Sequence, residues 1–540
     1  MKAFKRSKKS KFIFGAILIA SVFILSSLIT SCKKDDDDDA IIVPQFVIKD
    51  VQNQKASDLL EKLKSEVSSQ NDADDPLGIT KVLTGDAEEF EEHDNAGTNY
   101  DYDKIKQQYE EDYDKLINDA VAAGEVSQAD VTGQNASGSY MIRTWTYEYS
   151  TKAANGEWIR ASGTVSLGYA YIPIVKKEFF PKLNYVVIHP HYTKTADKEM
   201  PSKDKSAASD NGIMQQLSCN DAMIISPDYE GYGSTASRKH PYLMHDAISK
   251  QCVDMLQSVI NWYRNNGDGK QKFRGFESNW DLYTFGYSQG GAQALSIQKY
   301  IETNSSVSSE IKEHFRGSVC GAGPYDPVAT YQWYLSQTKV SYPVIFPLVL
   351  DGYIENYKNS YLKGYKLEHF LTKPMLENKV DCPGGGRYTP IEALRSKKYT
   401  AHEIGKIIAM AYGHENERDV TVQEVLTEDA QKWDSEATKA VRKALEANSL
   451  VDGSWTPQHN IIFYHSYQDD VVPIVNYESA YEAFKNTGKL VPKYQKLFHK
   501  SAYESSGKKV KMGKHSAEGA WFYANYIFRT RDFKNVRKND

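Results

Sequence analysis

A pentapeptide in the second half of the chain has the spacing of a catalytic serine. Residues 286–290 read Gly-Tyr-Ser-Gln-Gly and match the pattern G-x-S-x-G. An apolar run at 282–285 precedes them, and a helix-forming stretch with small residues follows. The chemistry requires this context, because the serine must lie on a sharp strand-to-helix turn that exposes its hydroxyl. The pattern predicts Ser288 as a nucleophile, and the alternative is a buried turn without chemistry.

A serine nucleophile needs a base and a carboxylate that orients the base. After the apolar run 461–464, the chain reads His-Ser-Tyr-Gln-Asp-Asp-Val-Val-Pro. A strand that ends in a turn with an acid, before a Val-Pro pair that opens a helix, suits this carboxylate. In the α/β-hydrolase pattern that this segment resembles, Asp469 has the usual position of the acid, and the adjacent Asp470 is an alternative. A third interpretation is that both aspartates only cap the next helix.

In the α/β-hydrolases, which this order of motifs resembles, the acid and then the histidine follow the serine along the chain. The resemblance implies a histidine near the C-terminus, in a loop just before the last helix. His515 meets this condition, because the residues after it have the apolar periodicity of an amphipathic helix. His499, which follows an apolar Leu-Phe pair, is the competing candidate. The chain has 13 histidines, so the choice depends on position alone.

Two backbone amides are needed to bind the oxyanion that forms during acyl transfer. One is expected from Gln289, the residue after the nucleophile, and the other from the loop after an upstream strand. The apolar run 185–188 predicts that strand, and His-Pro-His-Tyr-Thr follows it. Pro190 has no N–H group, so the second donor is His191 or Tyr192.

These motifs together resemble the secretory-lipase branch of the α/β-hydrolases. The resemblance rests on Pro-Asp-Tyr-Glu-Gly-Tyr-Gly after the strand 222–226, on Gly-Tyr-Ser-Gln-Gly-Gly, and on His-Ser-x-x-Asp-x-Val-Val-Pro after a long insertion. It covers roughly residues 137–528. It implies serine-dependent ester hydrolysis with Ser288 as nucleophile, Asp469 as acid and His515 as base, and no metal or organic cofactor. The loop departs from the family's common pattern, which has glycine at the position of Pro190.

The order of the predicted elements indicates an α/β fold with a mostly parallel sheet. The predicted catalytic domain is 137–535, and an antiparallel pair at 140–149 and 158–166 precedes its parallel strands. A helical cap is expected as an insertion at about 325–455, with helices at 400–413, 424–433 and 436–447. It would roof the serine and shape the acyl or alcohol pocket. Residues 41–136 are predicted to be an N-terminal helical extension, with helices at 57–68 and 102–123.

The first forty residues predict export and lipid attachment. Six basic residues come before the apolar segment 12–28, and Ile-Thr-Ser-Cys follows it and resembles a lipobox. Residues 1–31 are then a lipoprotein signal peptide, Cys32 is acylated, and 32–40 form an acidic tether. The run Lys-Lys-Asp₅ at 33–39 resembles the export signal of Bacteroidota surface lipoproteins. We expect a cell-envelope protein at the outer membrane, facing outward and bound through the lipid on Cys32. The alternative is an uncleaved membrane anchor.

Composition agrees with a globular enzyme. The chain has 540 residues, 40% of them hydrophobic, and a formal net charge of -5, so no nucleic-acid partner is expected. Beyond Cys32, the four cysteines at 219, 252, 320 and 382 match no metal motif, and their pairing stays open. No metal site is therefore predicted.

The sequence thus favours a hydrolase of carboxylic esters whose substrate is a small-molecule or glycan-linked ester. Sugar acetyl and feruloyl esters are suggested only by analogy with other surface enzymes. A surface serine peptidase on the same fold and a non-catalytic binding protein on a hydrolase scaffold are the alternatives. Acyl specificity and oligomeric state stay open.

Overall fold

A computed structural model describes residues 46–69, 102–132, 138–218, 221–265, 272–467 and 469–490, together with 515, 519, 522 and 523. The predicted signal peptide, Cys32, the acidic tether and His499 lie outside these residues. Among the described residues, no helix is both long enough and apolar enough to cross a membrane.

Most of the described strands belong to one mixed sheet of nine strands, in the order β1-β2-β3-β6-β5-β7-β8-β11 with β4 paired to β3. A separate two-stranded hairpin is formed by β9 and β10. The strands are β1 Phe46–Lys55, β2 Ser139–Lys152, β3 Trp158–Ile172, β4 Lys177–Phe179, β5 Leu183–Ile188, β6 Ala222–Pro227, β7 Phe276–Tyr287, β8 Phe315–Gly321, β9 Val380–Asp381, β10 Arg387–Tyr388 and β11 Asn460–Tyr464.

Helices cover both faces of this sheet and fill the insertion between β8 and β11. The α-helices of the described residues are α1 Ala56–Ser69, α2 Tyr102–Ala122, α3 Gln128–Thr132, α4 Asp210–Leu217, α5 His245–Arg264, α6 Gln289–Thr303, α7 Ser309–His314, α8 Pro327–Leu335, α9 Ile345–Tyr357, α10 Lys373–Glu377, α11 Pro390–Ser396, α12 Ala401–Ala411, α13 Val422–Val425, α14 Glu428–Gln431, α15 Glu436–Glu446 and α16 Val475–Phe484.

The centre of the sheet is parallel. Strand β5 pairs in parallel with β6 and β7, and β8 joins β7 to β11 in the same direction. These strands read as continuous apolar runs because helices bury both of their faces. Their carboxyl ends meet at one edge, and this edge receives the loops that carry the candidate site residues.

The predicted antiparallel pair is present as β2 and β3. Their register runs from Ser139 opposite Tyr171 to Lys152 opposite Trp158, so the turn lies at residues 153–157. Strand β3 then pairs antiparallel with β6 and joins the hairpin to the parallel strands.

The N-terminal extension is not purely helical, which differs from the prediction. Its first ten described residues form β1, which pairs antiparallel with β2 at the edge of the sheet. Nearly all of these residues are polar or exposed, so they lack the alternating apolar pattern of a half-buried strand. Their strand conformation comes from backbone pairing with β2. The side chain of Arg143 strengthens the junction by bonding Asn53 and Glu178.

The predicted helices of the extension are present as α1 and α2, and they pack on the core. Leu60 and Leu63 of α1 are 1% and 0% exposed, in a cluster that also contains Ile117 of α2 and Ile142 of β2. The described residues of the extension fall in the same compact unit as the remaining described chain. The extension therefore belongs to the hydrophobic core.

The insertion between β8 and β11 forms the cap, with helices α8 to α15 and the β9–β10 hairpin. The predicted cap helices at 400–413 and 436–447 match α12 and α15, whereas the one at 424–433 is divided into α13 and α14. A hydrophobic cluster of its own holds these helices together. The Thr195 hydroxyl donates to the carbonyl of Tyr399 at 2.7 Å, which ties the cap to the loop after β5.

Four buried histidines lie in the segments that follow β5 and β6. Burial lowers the pKa of His189 and His245 to about 4, and the pKa of His191 and His240 to about 3. Each of these four imidazoles is therefore neutral in the folded protein, because a charged ring at a buried position would lose its hydration by water.

We predict that Leu63→Ala lowers the free energy of unfolding by about 2–5 kcal/mol, because it leaves a cavity in a packed core. Urea denaturation followed by circular dichroism would measure the change. Glu61→Ala, on the exposed face of the same helix, should change stability by less than about 0.5 kcal/mol. Equal, small effects of both substitutions would show that α1 is not part of the cooperative core.

We also predict that acid weakens the fold through the buried histidines. Below pH ~6.5 the unfolded chain takes up protons on histidine that the folded chain excludes. Each such residue then lowers the free energy of unfolding by about 1.4 kcal/mol per pH unit, until the pH approaches its folded pKa. His240→Gln should therefore lower the slope of the free energy of unfolding against pH, between pH 6 and about 4.5, by the amount that corresponds to about one bound proton. Denaturation curves with the same slope in both proteins would contradict this.

Candidate active site

Ser288 lies on the turn between β7 and α6, as the sequence predicted. Its φ of 58° is in the left-handed region, which residues other than glycine rarely adopt. The amide of Ser288 donates to the carbonyl of Gly321 at 2.8 Å, and its carbonyl accepts from Gly291 in the first turn of α6. These bonds hold the strained residue between two adjacent strands and the helix.

The glycines of the pentapeptide are required by close backbone approach. A Cβ atom on Gly290 would lie 2.1 Å from the carbonyl oxygen of Pro190, and one on Gly286 would lie 2.3 Å from the carbonyl oxygen of Gly290. Any side chain at either position would push the turn at Ser288, called the elbow below, away from the loop after β5. The two glycines therefore bring this loop against the start of α6.

Three predicted residues meet in one hydrogen-bonded chain. The Nε2 atom of His515 lies 2.9 Å from the Oγ atom of Ser288, and its Nδ1 atom lies 2.6 Å from Oδ2 of Asp469. All three residues are buried. This is the arrangement in which a histidine takes a proton from serine while a carboxylate orients the ring.

Asp469 is held by bonds to both of its oxygens. Oδ1 accepts from the amides of Val471 at 2.9 Å and Val472 at 2.7 Å, while Oδ2 faces His515. Burial alone would raise the pKa of Asp469. The neighbouring His515 and these hydrogen bonds outweigh burial, so the pKa lies below its usual range. An ionised carboxylate at this place fixes Nδ1 as the protonated nitrogen of the imidazole.

Asp470, the alternative acid, has different contacts. Its Oδ2 atom lies 3.2 Å from Arg418 of the cap, and its Oδ1 atom accepts from the backbone amide of His515 at 3.4 Å. It therefore faces the backbone of the histidine, whereas Asp469 faces the ring.

His515 itself has a helical backbone, as do residues 519, 522 and 523. The prediction that it lies in a loop before the last helix is wrong in this respect. The hydroxyl of Tyr287 donates to its backbone carbonyl at 2.7 Å. Deeper in the core, Tyr523 lies 3.0 Å from His189 of the loop after β5, and Phe522 stacks on Phe285.

The loop after β5 carries the predicted oxyanion donors His191 and Tyr192. Nδ1 of His191 lies 2.6 Å from the carbonyl of Tyr192, and Nε2 lies 3.3 Å from that of Asp228. A neutral ring has one N–H group, so the shorter contact is the hydrogen bond. The ring also packs on Tyr229 with centroids 4.1 Å apart. These contacts engage the His191 side chain, so a donor to an oxyanion from this residue would have to be its backbone amide.

Gln289, the other predicted donor, is the first residue of α6. The first amides of a helix have no acceptor within it and lie at the positive end of its dipole. The side chain of Gln289 points elsewhere, since its Nε2 atom donates to Nε2 of His240 at 2.8 Å. The Nδ1 atom of His240 in turn donates to the carbonyl of Glu230.

Sequence reasoning did not identify the buried ion pair behind this loop. Nζ of Lys194 donates to Oδ1 of Asp210 at 2.7 Å and to the carbonyl of Glu199 at 2.9 Å, and both charged side chains are almost fully buried. The only sequence signal is a lysine after the loop motif and an aspartate at the start of α4. Their pairing depends on tertiary structure.

A mostly apolar channel extends from Ser288 into the cap. Its walls come from loops of the core, from the loop after β11 that carries Asp469 and Asp470 (the acid loop), and from cap helices α8, α9, α14 and α15. Beside Ser288, the lining residues are Thr193, Tyr242, Leu243, Pro324, Pro327, Thr330, Tyr331, Tyr334, Tyr342, Ile345, Phe346, Val349, Leu350, Phe370, Leu426, Ala430, Val441, Leu445, Val471 and Val472. Ser288 thus borders a space lined mainly by hydrocarbon groups.

Most polar groups of the channel wall bond to the protein itself. The hydroxyl of Tyr334 donates to the carbonyl of Val471, and that of Tyr331 donates to the carbonyl of Ala430. The hydroxyl of Tyr242 bonds to Thr193. These residues therefore present rings and methyl groups to the channel.

Within the described part of the chain, no group of three or more His, Cys, Asp or Glu side chains is placed to hold a metal ion. Cys252, Cys320 and Cys382 are free and buried, and Cys219 lies outside the described residues.

Comparison with known proteins finds similarity at the level of structure. No protein-family profile matches the chain, and no curated protein sequence matches it. The rice cell wall degrading esterase LipA from Xanthomonas oryzae superposes with a TM-score of 0.54 at 19% identity, over 78% of this chain and 96% of LipA. A ligand-bound form of LipA gives 0.52 at 19% identity, over 77% and 94%. Lipase A from Candida antarctica in its closed state gives 0.41 at 13% identity, over 65% and 70%.

The superposition on LipA, together with the parallel strands, the elbow after β7 and the flanking helices, establishes the fold. The described chain has the α/β-hydrolase fold with a helical cap inserted between β8 and β11.

Proposed function

We propose that this protein is a serine hydrolase that cleaves carboxylic esters through an acyl-enzyme intermediate. The observation that carries the proposal is the chain of contacts from Ser288 to His515 at 2.9 Å and from His515 to Asp469 at 2.6 Å, at the floor of an apolar channel. A structural turn would not require a strained serine to face a buried histidine that is itself oriented by a carboxylate.

The proposed reaction follows from these positions. His515 removes the proton of Ser288 as its Oγ atom attacks the ester carbonyl, and Asp469 stabilises the imidazolium that forms. The amide of Gln289 and a backbone amide of the loop at His191 and Tyr192 bind the oxyanion. The protonated His515 then gives its proton to the leaving alcohol. A water molecule, activated by the same histidine, releases the acid.

The channel favours an acyl chain over a sugar as the occupant of the cap. A sugar needs hydrogen-bonding groups along its binding surface, whereas Tyr242, Tyr331 and Tyr334 use their hydroxyls within the protein. An alkyl chain gains about 0.8 kcal/mol for each methylene group that it buries. We therefore infer that the acyl part is an alkyl chain that enters the cap, which leaves the nature of the alcohol open.

The fold neighbour LipA is described as a rice cell wall degrading esterase. Its reaction class agrees with the proposal, although 19% identity does not transfer its substrate. Attachment to the outer membrane through Cys32 is proposed from the sequence of residues 1–39 alone. Loss of metabolic labelling with a fatty-acid analogue in Cys32→Ser would test the attachment.

We predict that Ser288→Ala keeps the fold and lowers kcat by at least about 10³-fold, because the nucleophile is lost. The measurement is the initial rate on p-nitrophenyl esters of graded acyl length, using the form without residues 1–32 and its Ser288→Ala partner. Aminoacyl p-nitroanilides are assayed beside them. Undiminished ester hydrolysis by Ser288→Ala would disprove the role of Ser288, and turnover of anilides alone would indicate a peptidase.

A second prediction concerns the channel. Val441→Trp places an indole in the channel wall contributed by α15. It should lower the rate on long-chain esters at least about tenfold and leave the rate on acetate and butyrate esters nearly unchanged, since a short chain does not reach into the cap. Lys443→Trp, on the exposed face of the same helix, is the matched control. A uniform effect on all chain lengths would contradict an acyl channel at this position.

A further inference from the structure

The backbone of His515 is bound by two side chains that the proposed reaction does not use. Its carbonyl accepts from the hydroxyl of Tyr287 at 2.7 Å, and its amide donates to Asp470 at 3.4 Å. Both partners are adjacent in sequence to the residues that bind the imidazole ring. Tyr287 precedes Ser288, and Asp470 follows Asp469.

The position of Tyr287 suits this contact. Its side chain is fully buried, and its ring centroid lies 5.0 Å from that of His515. Strand β7 places the tyrosine rigidly, because its backbone is paired with β8. Through the hydroxyl of Tyr287, the backbone of His515 is therefore bonded directly to strand β7, which also positions Ser288.

Asp470 contacts the backbone amide of His515, whereas Tyr287 contacts the backbone carbonyl of the same residue. One carboxylate oxygen faces the amide of His515, and the other faces Arg418 of the cap at 3.2 Å. Within the acid loop, Asp469 orients the ring while Asp470 holds the backbone of the same residue. The acid loop thus contacts both the imidazole ring and the backbone of His515.

We propose that Tyr287 and Asp470 are positioning residues that clamp the backbone of His515 at the distance needed for proton transfer. The inference rests on the proposed ester hydrolysis, because it assigns these residues through their effect on the catalytic base. Proton transfer is sensitive to such placement, since a displacement of about 1 Å can lower the rate about 100-fold. Neither residue is needed to bind the acyl chain.

The test compares variants of the full chain, kept in detergent, on p-nitrophenyl butyrate. Tyr287→Phe keeps the ring and removes the hydroxyl, and Asp470→Ala removes the acceptor. Each should lower kcat about 10- to 100-fold while KM stays within about twofold. Asp470→Asn should restore most of the loss, because its Oδ1 atom accepts the same amide. The labelling rate of Ser288 by a fluorophosphonate should fall in parallel with kcat.

Two control variants separate positioning from other effects. Tyr325→Phe removes another buried hydroxyl that donates to a backbone carbonyl, that of Cys320, and should keep the wild-type kcat. Arg418→Ala breaks the contact of Asp470 with the cap and should retain most of the kcat. Thermal midpoints of all variants are recorded, so that a loss of fold is distinguished from a loss of kcat.

The possible outcomes distinguish the two proposals. If the wild-type protein turns over the ester with dependence on Ser288, while Tyr287→Phe and Asp470→Ala keep its kcat, the clamp is disproved and the ester hydrolase stands. An Arg418→Ala variant as impaired as Asp470→Ala would also overturn the assignment of Asp470, because the cap contact would then explain the loss. A wild-type protein whose Ser288 is neither labelled nor needed for turnover overturns both.

Discussion

The strained backbone at Ser288 is the constraint on which the active-site region depends. A φ of 58° turns the chain from β7 into α6 within one residue and presents the hydroxyl above the sheet. The conformation is held because Gly286 and Gly290 allow the loop after β5 to touch the elbow, and because Gly321 of β8 accepts from the Ser288 amide. The strand order β5-β7-β8 therefore supplies the support for the turn as well as the loops around it.

The acid loop after β11 connects the contacts among Ser288, His515 and Asp469 with the cap. Asp469 binds the ring of His515, and the amides that stabilise Asp469 belong to Val471 and Val472, which also line the channel. The hydroxyl of Tyr334 in the cap donates to the carbonyl of Val471. The wall of the channel and the orientation of the His515 ring thus depend on one short segment, so the position of the cap and the geometry of these contacts are physically linked.

The sequence predicted the parallel strands, the elbow and the cap helices well, because each has a strong local pattern. Buried parallel strands appear as apolar runs, and α15 has the periodicity of an amphipathic helix with a Ser435 cap. The edge strand β1 was not predicted, since its exposed polar side chains carry no such pattern and pairing with β2 determines its conformation. The sequence predicted a loop at His515, where the structure has helical backbone, because the ends of helices are the least certain part of a local pattern.

By itself, the sequence determined which residue types are available for chemistry and in which order they follow along the chain. The motif favoured Asp469 but left the adjacent Asp470 open, because neighbouring residues share most local signals and differ mainly in the direction of their side chains. The tertiary structure shows that the side chain of Asp469 faces the ring of His515. It also determines the pairing of Lys194 with Asp210 and the contacts of Tyr287 and Asp470 with His515. Such contacts join residues up to 228 positions apart, and only the packing of strands, loops and cap brings their atoms within hydrogen-bonding distance.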